Sequence, residues 1–148
     1  MSTPSALPFD VTPMVRDCCL CLHAQRAARA LARRFDEALR PLDLTNGQFS
    51  LLMSLNRPEA PTLGSVASLL AMDRTTLTAA LKVLERRRLV RVKVDKEDRR
   101  SRRLVITPAG RVLLAKAFPI WKKTHAAIED GIEALSPERL RKALRTLS

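Results

Sequence analysis

Between Leu84 and Arg103 the chain sets out side chains suited to one chemistry, the neutralisation of phosphate. Arg86-Arg87-Arg88 and Arg99-Arg100-Ser101-Arg102-Arg103 bracket an alternating, valine-rich stretch. Residues 85–103 hold ten Lys and Arg against four acids, a surplus of six within a net charge of +12. Charge gathered into one stretch points to a polyanionic partner more directly than a high isoelectric point does. A solvated basic face is the bland alternative. A membrane surface would need bulky apolar residues opposite the charge on an amphipathic helix, which this stretch does not supply.

Other chemistries are poorly provided. There is no nucleophile with a base and an orienting group, and no glycine-rich phosphate loop, so neither an enzyme nor a cofactor is expected. Cys19 and His23 stand four residues apart on one helical face, a spacing that suits two metal ligands. Acids and histidines nearby are few, and no metal is expected. Cys18, Cys19 and Cys21 crowd into four residues, an odd set unlike a disulfide framework. No charged segment followed by an apolar one opens the chain, and no apolar run reaches membrane length. The expectation is a cytoplasmic protein with no membrane partner.

The elements that must position the arginines follow from periodicity and caps. Aromatic residues make up only 3%, so Leu, Ala, Val and Ile must build a helical core. Residues 1–11 read as a flexible arm. Thr12-Pro13 opens a helix in which Leu20, Ala24, Ala27, Leu31, Phe35 and Leu39 recur at helical spacing to Arg40-Pro41. Thr45 and Gln48 form a capping box before Phe49, Leu52 and Leu55. Thr62 caps a short helix with Val66, Ala67 and Leu70 inward. Asp73 caps the next, with Leu77, Leu81 and Leu84 inward; the gap Ala71–Asp73 is helix-turn-helix spacing. Leu89–Val94 and Leu104–Ile106 read as a hairpin with a charged tip. Thr107-Pro108 opens a second long helix through Ile132, which Pro119 should kink. Ser136-Pro137 opens the last.

The fold class expected is mainly α with a small β-hairpin wing, an α+β winged helix-turn-helix. Its parts are an arm at 1–11, a dimerisation helix at 12–44, a DNA-binding lobe at 45–107 and C-terminal dimerisation helices at 108–148. Neither long helix has a further layer in the chain to cover its apolar stripe. An intertwined homodimer, joined through Leu20, Leu31, Ile120, Trp121, Ile128 and Ile132, is therefore expected.

The order Asp73-Arg74-Thr75-Thr76-Leu77-Thr78 with Leu81, Leu84 and Glu85, then Asp95-x-x-Asp98-Arg99-Arg100, then Leu104-x-Ile106-Thr107-x-x-Gly110, resembles the MarR family of bacterial transcription regulators. The resemblance runs through residues 12–147. It implies an obligate homodimer whose terminal helices interlock and whose two winged lobes grip a pseudo-palindromic DNA operator. It also implies, for most members, repression relieved by a small molecule or an oxidant. The Asp73 helix matches the recognition helix, with Arg74, Thr75, Thr76, Thr78 and Lys82 on its groove face. Arg100 matches the minor-groove arginine and Asp98 the acid that orients it. Arg99, Arg102 and Arg103 are left as phosphate contacts. A non-specific architectural nucleic-acid binder is the alternative; it explains the charge but not the Asp98/Arg100 pair. The chain departs from relatives at Ala71, where they often have glycine. Gly64 is a second departure, sitting inside a helix.

The resemblance also bears on sensing. Cys21 falls on the position of the reactive thiol in the family's hydroperoxide-sensing branch, with Cys18 and Cys19 as further redox candidates. That branch holds its thiolate with two tyrosines; here the matching positions are Gln25 and Phe35, and the chain has no tyrosine. A thiol partner on another chain suits geometry better than Cys18, because a disulfide within one helical turn is poor. Plain packing of the cysteines stays open. The family's effector pocket would draw on His23, Arg26, Ala27, Phe49, Leu52, Met53, Trp121 and His125. Apolar walls with a cation suit an aromatic acid.

Overall fold

A computed structural model describes residues 6–148. The first five residues of the expected arm lie outside the described residues. Helix α1 spans Val11–Cys18 and α2 Leu20–Leu39. The expected start at Thr12-Pro13 is corrected: α1 begins at Val11, and Asp10 holds the cap position without a side-chain cap bond. Pro13 lies in the first turn, where its missing N–H forfeits no helical hydrogen bond.

The single long helix expected over the first third of the chain is two helices. Cys19 takes φ −71° and ψ 108°, an extended conformation, and becomes the N-cap of α2. Its N–H still closes α1 on the Val15 carbonyl at 2.9 Å, and its Sγ accepts from the Leu22 N–H at 3.4 Å. Apolar spacing runs straight through this residue, so periodicity carries no sign of the break.

The far end of α2 enters the core through Phe35 and Leu39, and α2 packs along α6. A short 3-10 turn at Arg40–Leu42 leads to α3, Asn46–Ser54. Both halves of its capping box are present: Gln48 N–H donates to Thr45 Oγ1 at 3.2 Å, and Thr45 N–H to Gln48 Oε1 at 3.0 Å. Asp36 on α2 accepts the Asn46 N–H at 2.7 Å, fastening the start of α3 to α2. Helices α4 (Leu63–Leu69) and α5 (Arg74–Arg86) follow, then the hairpin β1 (Val90–Val94) and β2 (Arg102–Ile106). The strands are antiparallel, in register from Val90 opposite Ile106 to Val94 opposite Arg102. Helix α6 is Pro108–Asp130 and α7 Pro137–Arg145. Pro119 lies inside α6, which continues through it as one element.

The core is aliphatic. Leu52, Val66, Leu77, Leu84 and Leu104 are fully enclosed, joining α3, α4, α5 and the hairpin into one lobe. The terminal helices are less covered: Leu20 is 72% exposed, Leu31 40% and Leu147 68%. Of the residues expected at a dimer interface, Leu20 and Leu31 thus present open apolar surface on one chain. Ile120 and Trp121 are half-buried against this chain's own core, and Ile128 and Ile132 are also half-buried.

Candidate nucleic-acid interface

The turn between α4 and α5 is built tightly. Ala71 adopts φ 51°, and Met72 N–H returns to the Ala67 carbonyl at 2.9 Å, closing α4 in a left-handed cap that glycine usually fills. Asp73 then caps α5. Its Oδ1 accepts the Thr76 N–H at 2.8 Å and its Oδ2 the Thr76 hydroxyl at 2.7 Å. These bonds, the backbone one first, hold the Asp73 carboxyl below its ordinary range.

The exposed side of α5 carries Arg74, Thr75, Thr78 and Lys82. Their hydroxyls are not equivalent. Thr76 donates to the cap, and Thr78 Oγ1 donates to the Arg74 carbonyl at 2.7 Å, which leaves Thr75 as the hydroxyl without an intrachain bond among the described residues. Thr76 is therefore tied to the cap, though its side chain is exposed.

The wing is fixed at its base and ordered at its tip. Arg88, at φ 57°, ends α5, and Leu89 N–H returns to the Leu84 carbonyl at 3.0 Å. Thr107 Oγ1 donates to the Arg88 carbonyl at 2.7 Å and accepts the Gly110 N–H at 3.1 Å. This explains the glycine of the Leu-x-Ile-Thr-x-x-Gly pattern: a β-carbon at Gly110 would collide with the Leu89 carbonyl oxygen and stand 2.8 Å from Ile106 Cγ1.

At the tip Asp98 Oδ1 accepts the backbone N–H of Arg100 at 3.0 Å. The expectation that Asp98 orients Arg100 is thus corrected in detail. Asp98 shapes the turn on which Arg100 sits, and the Arg100 guanidinium is exposed without an ion pair to Asp98. Arg99 is also exposed; Arg102 folds back onto the carbonyls of Arg99 and Ser101 at 3.1 and 3.3 Å. Arg103, expected as a phosphate contact, is also bonded within the chain. It pairs with Asp95 at 3.3 Å and donates to the Ala60 carbonyl at 2.9 Å, pinning the wing to the segment before α4. Leu104 N–H donates to the Pro61 carbonyl at 2.9 Å beside it.

Sequence reasoning missed Arg87. Its guanidinium reaches Gln48 Oε1 at 3.4 Å and Asp43 Oδ2 at 3.9 Å, joining the end of α5 to the start of α3. The signal was a third consecutive arginine beside two solvated ones, which charge counting alone does not separate.

The expected effector residues are only partly brought together. A cavity of about 570 Å³ is lined by Phe49, Met53 and Trp121, with Phe118, Leu69 and Arg57 among the residues not anticipated. Leu52 is fully buried and does not line this cavity. His23, Arg26 and Ala27 are exposed on α2 and do not line this cavity. Arg57 is the cation among the residues that line it. His125 stacks on the Trp121 ring at 4.7 Å, where Phe35, Phe49 and Phe118 also gather. Phe118 lies one helical turn before Trp121, a spacing that would have revealed it.

All three cysteines are free; Cys18 and Cys21 are exposed and Cys19 is half-buried, so one chain does not pack them away. Gln25 Nε2 donates to Cys21 Sγ at 3.2 Å. Among the described residues no group of three or more His, Cys, Asp or Glu is placed to hold a metal ion. No helix there is long and apolar enough to cross a membrane.

Known proteins resemble this arrangement. The sequence model of the MarR family matches residues 44–101. The organic hydroperoxide resistance transcriptional regulator of Bacillus subtilis is 30% identical over 139 residues, 94% of this chain and 92% of that protein. The M. tuberculosis regulator MosR in complex with DNA superposes with a TM-score of 0.80 at 37% identity, covering 87% of this chain and 92% of that one. The repressor CouR of Rhodococcus jostii, bound to a 23-mer DNA duplex, gives a TM-score of 0.70 at 29% identity, covering 97% and 96%. The capped α5, the wing held at Thr107 and these relatives along nearly the whole chain lead to one conclusion: the chain belongs to the MarR family, with the winged-helix fold of its transcription regulators.

Proposed function

We propose that the protein is a homodimeric, sequence-specific DNA-binding repressor, released from a pseudo-palindromic operator by a small acidic aromatic ligand or by cysteine oxidation. The observation that carries the reading is the pairing of α5 with the wing. Arg74, Thr75 and Lys82 are exposed on one face of a capped helix, and Arg100 is exposed on a turn ordered by Asp98. Such a helix enters the major groove, where arginine forks onto guanine. One arginine presented on a fixed turn suits a narrow minor groove. Arg99 and, less freely, Arg102 are suited to phosphate.

The dimer is supported by the open apolar residues Leu20 and Leu31 on α2. The ligand arm rests on the cavity at Trp121, whose aromatic walls and Arg57 suit a planar acid. The oxidant arm rests on the exposed thiols and on the name of the Bacillus subtilis relative.

A footprint of the reduced protein on the DNA upstream of its own gene tests the reading. Two protected half-sites about one helical turn apart are expected. Uniform protection without a boundary would replace the regulator with an architectural binder.

A further inference from the structure

We propose that the ligand of the Trp121 cavity is a dianion with an apolar body, one end held by Arg57 and the other by Arg111, a reading that rests on the ligand arm of the function above and gives it a chemical class.

The cavity at Trp121 does not stand alone. A second cavity of about 430 Å³ is lined by Arg111, Leu114 and Ala115 on α6 and shares Met53, Asn56 and Phe118 with the first. The two are adjoining chambers of one groove between α3 and the first half of α6. The partition between them is soft. Met53 is unbranched and adapts its shape readily, and Phe118 is 45% exposed.

Charge in the groove has one sign. Each chamber has one cation, Arg57 in the first and Arg111 in the second, and no acid lines either. Among the described residues neither arginine has an ion pair. Glu59, two residues beyond Arg57, is exposed and lines neither chamber. Arg111 donates from Nη1 to the neutral Asn56 Oδ1 at 2.9 Å, and the rest of its guanidinium has no partner among the described residues. Helix stability does not explain the position of Arg111. It is the fourth residue of α6, near the end where a helix favours anions over cations.

A ligand body packed on Met53 and Phe118 draws water away from both arginines. A guanidinium desolvated without an anion is costly, so a ligand that fills both chambers needs an anion at each end. A planar carboxylate meets the arginine fork with two parallel bonds. An aromatic ring suits the first chamber, between Phe49 and Trp121, with its carboxylate on Arg57. A narrow linker then passes Met53 to a second carboxylate on Arg111.

The two chambers touch the supports of both DNA-reading elements. Leu69 and Leu70 line the first, at the end of α4 and just before the left-handed turn at Ala71 that leads into α5. The second reaches the start of α6, where Thr107 and Gly110 hold the base of the wing at Arg88 and Leu89. A carboxylate on Arg111 also competes with Asn56, whose bond ties the segment after α3 to α6. A monoacid confined to the first chamber leaves that tie in place.

Calorimetric titration of the full-length protein with two matched probes tests this. One is para-pentylbenzoate; the other is para-(ω-carboxybutyl)benzoate, whose tail ends in a second carboxylate. The diacid should bind about tenfold more tightly. Arg111→Gln should abolish that advantage and leave the affinity for para-pentylbenzoate unchanged, Arg111→Lys should keep part of it, and Arg57→Gln should weaken both probes. Thermal melts identify any variant that fails to fold. The diacid should also release the DNA upstream of the protein's own gene at about tenfold lower concentration than the monoacid, a difference absent in Arg111→Gln. Equal affinities in the wild type, or an advantage that survives Arg111→Gln, overturn the dianion and leave the ligand arm standing. An advantage lost in Arg100→Ala instead puts the second anion on the DNA-binding face and overturns it likewise. Binding of neither probe overturns the dianion and the ligand arm together, whereas specific DNA binding by the unliganded protein is read separately and stands or falls by itself.

Discussion

The guanidinium of Arg74 lies against Gly64: a β-carbon on Gly64 would stand 3.2 Å from Arg74 Nη2. Gly64 needs no unusual backbone, since no glycine here has positive φ. What it provides is space, on α4, for the head of a side chain from the exposed face of α5. Glycine in a helix loses about 0.5–1 kcal/mol relative to alanine. Gly64→Ala should therefore leave the protein as stable as wild type, or more so. It should also displace Arg74 and lower the ratio of specific to random DNA binding several-fold. Thermal melting and anisotropy on the two DNAs measure both. An unchanged ratio would mean that the contact with Gly64 does not matter to recognition.

Gly110→Ala is expected to be among the most damaging single-atom changes. The added β-carbon meets a backbone carbonyl, that of Leu89, which cannot swing aside as a side chain would. Overpacking of this kind costs about 1–3 kcal/mol. Urea unfolding should show a loss in that range, with the hairpin as the part displaced.

Ala71→Gly should act in the opposite direction. Ala71 sits at φ 51°, where a β-carbon is strained, and glycine relieves the strain while adding freedom to the unfolded chain. A net gain of about 0.5–1 kcal/mol is expected by urea unfolding. A loss would mean that the Ala71 side chain makes packing contacts worth more than its backbone strain.

Asp73 predicts a pH dependence. Its carboxyl is held below the ordinary value by Thr76, so the folded state binds this proton less readily than the unfolded chain. The stabilisation is complete above the ordinary aspartate range and is lost as pH falls through the depressed folded value. Asp73→Asn keeps an acceptor for the Thr76 N–H but has no proton to gain. Its stability profile should be flatter than wild type on the acid side, measured by urea unfolding from neutral pH downward.

The two wing arginines should separate by readout. Arg103 is bonded to Asp95 and the Ala60 carbonyl, so Arg103→Ala should lower stability by about 1 kcal/mol, allowing for partial solvent screening. Arg100 makes no side-chain bond among the described residues, so Arg100→Ala should melt like wild type yet bind its operator weakly. Identical DNA-binding losses with identical stability in both variants would contradict the division.

The starts of elements were easier to read than their ends. Thr45, Thr62, Asp73, Thr107 and Ser136 each announce a helix, because a short polar side chain just before an apolar run accepts a helix N–H. The helix ends are less legible because the chain turns left-handed at Asp43, Ala71 and Arg88, never at glycine. The break at Cys19 left no mark because one ψ angle changes while the apolar spacing does not. In the interface, the exposed face of α5 was readable from helical spacing alone. Arg103 was not, because its partner at Ala60 lies 43 residues away and only the folded lobe brings them together. The cavity was half readable for the same reason: Phe49, Met53 and Trp121 lie on predictable faces, whereas Leu69 and Arg57 reach it from an exposed helix end and a turn.

Fluorescence anisotropy on the DNA upstream of the protein's own gene, against a scrambled duplex at the same salt, tests recognition by α5 and the wing most directly. Wild type should favour its own sequence by about a thousandfold or more, the range of specific regulators. Arg100→Ala should lose most of that preference while keeping its fold. Equal affinity of the wild type for both duplexes would contradict the account.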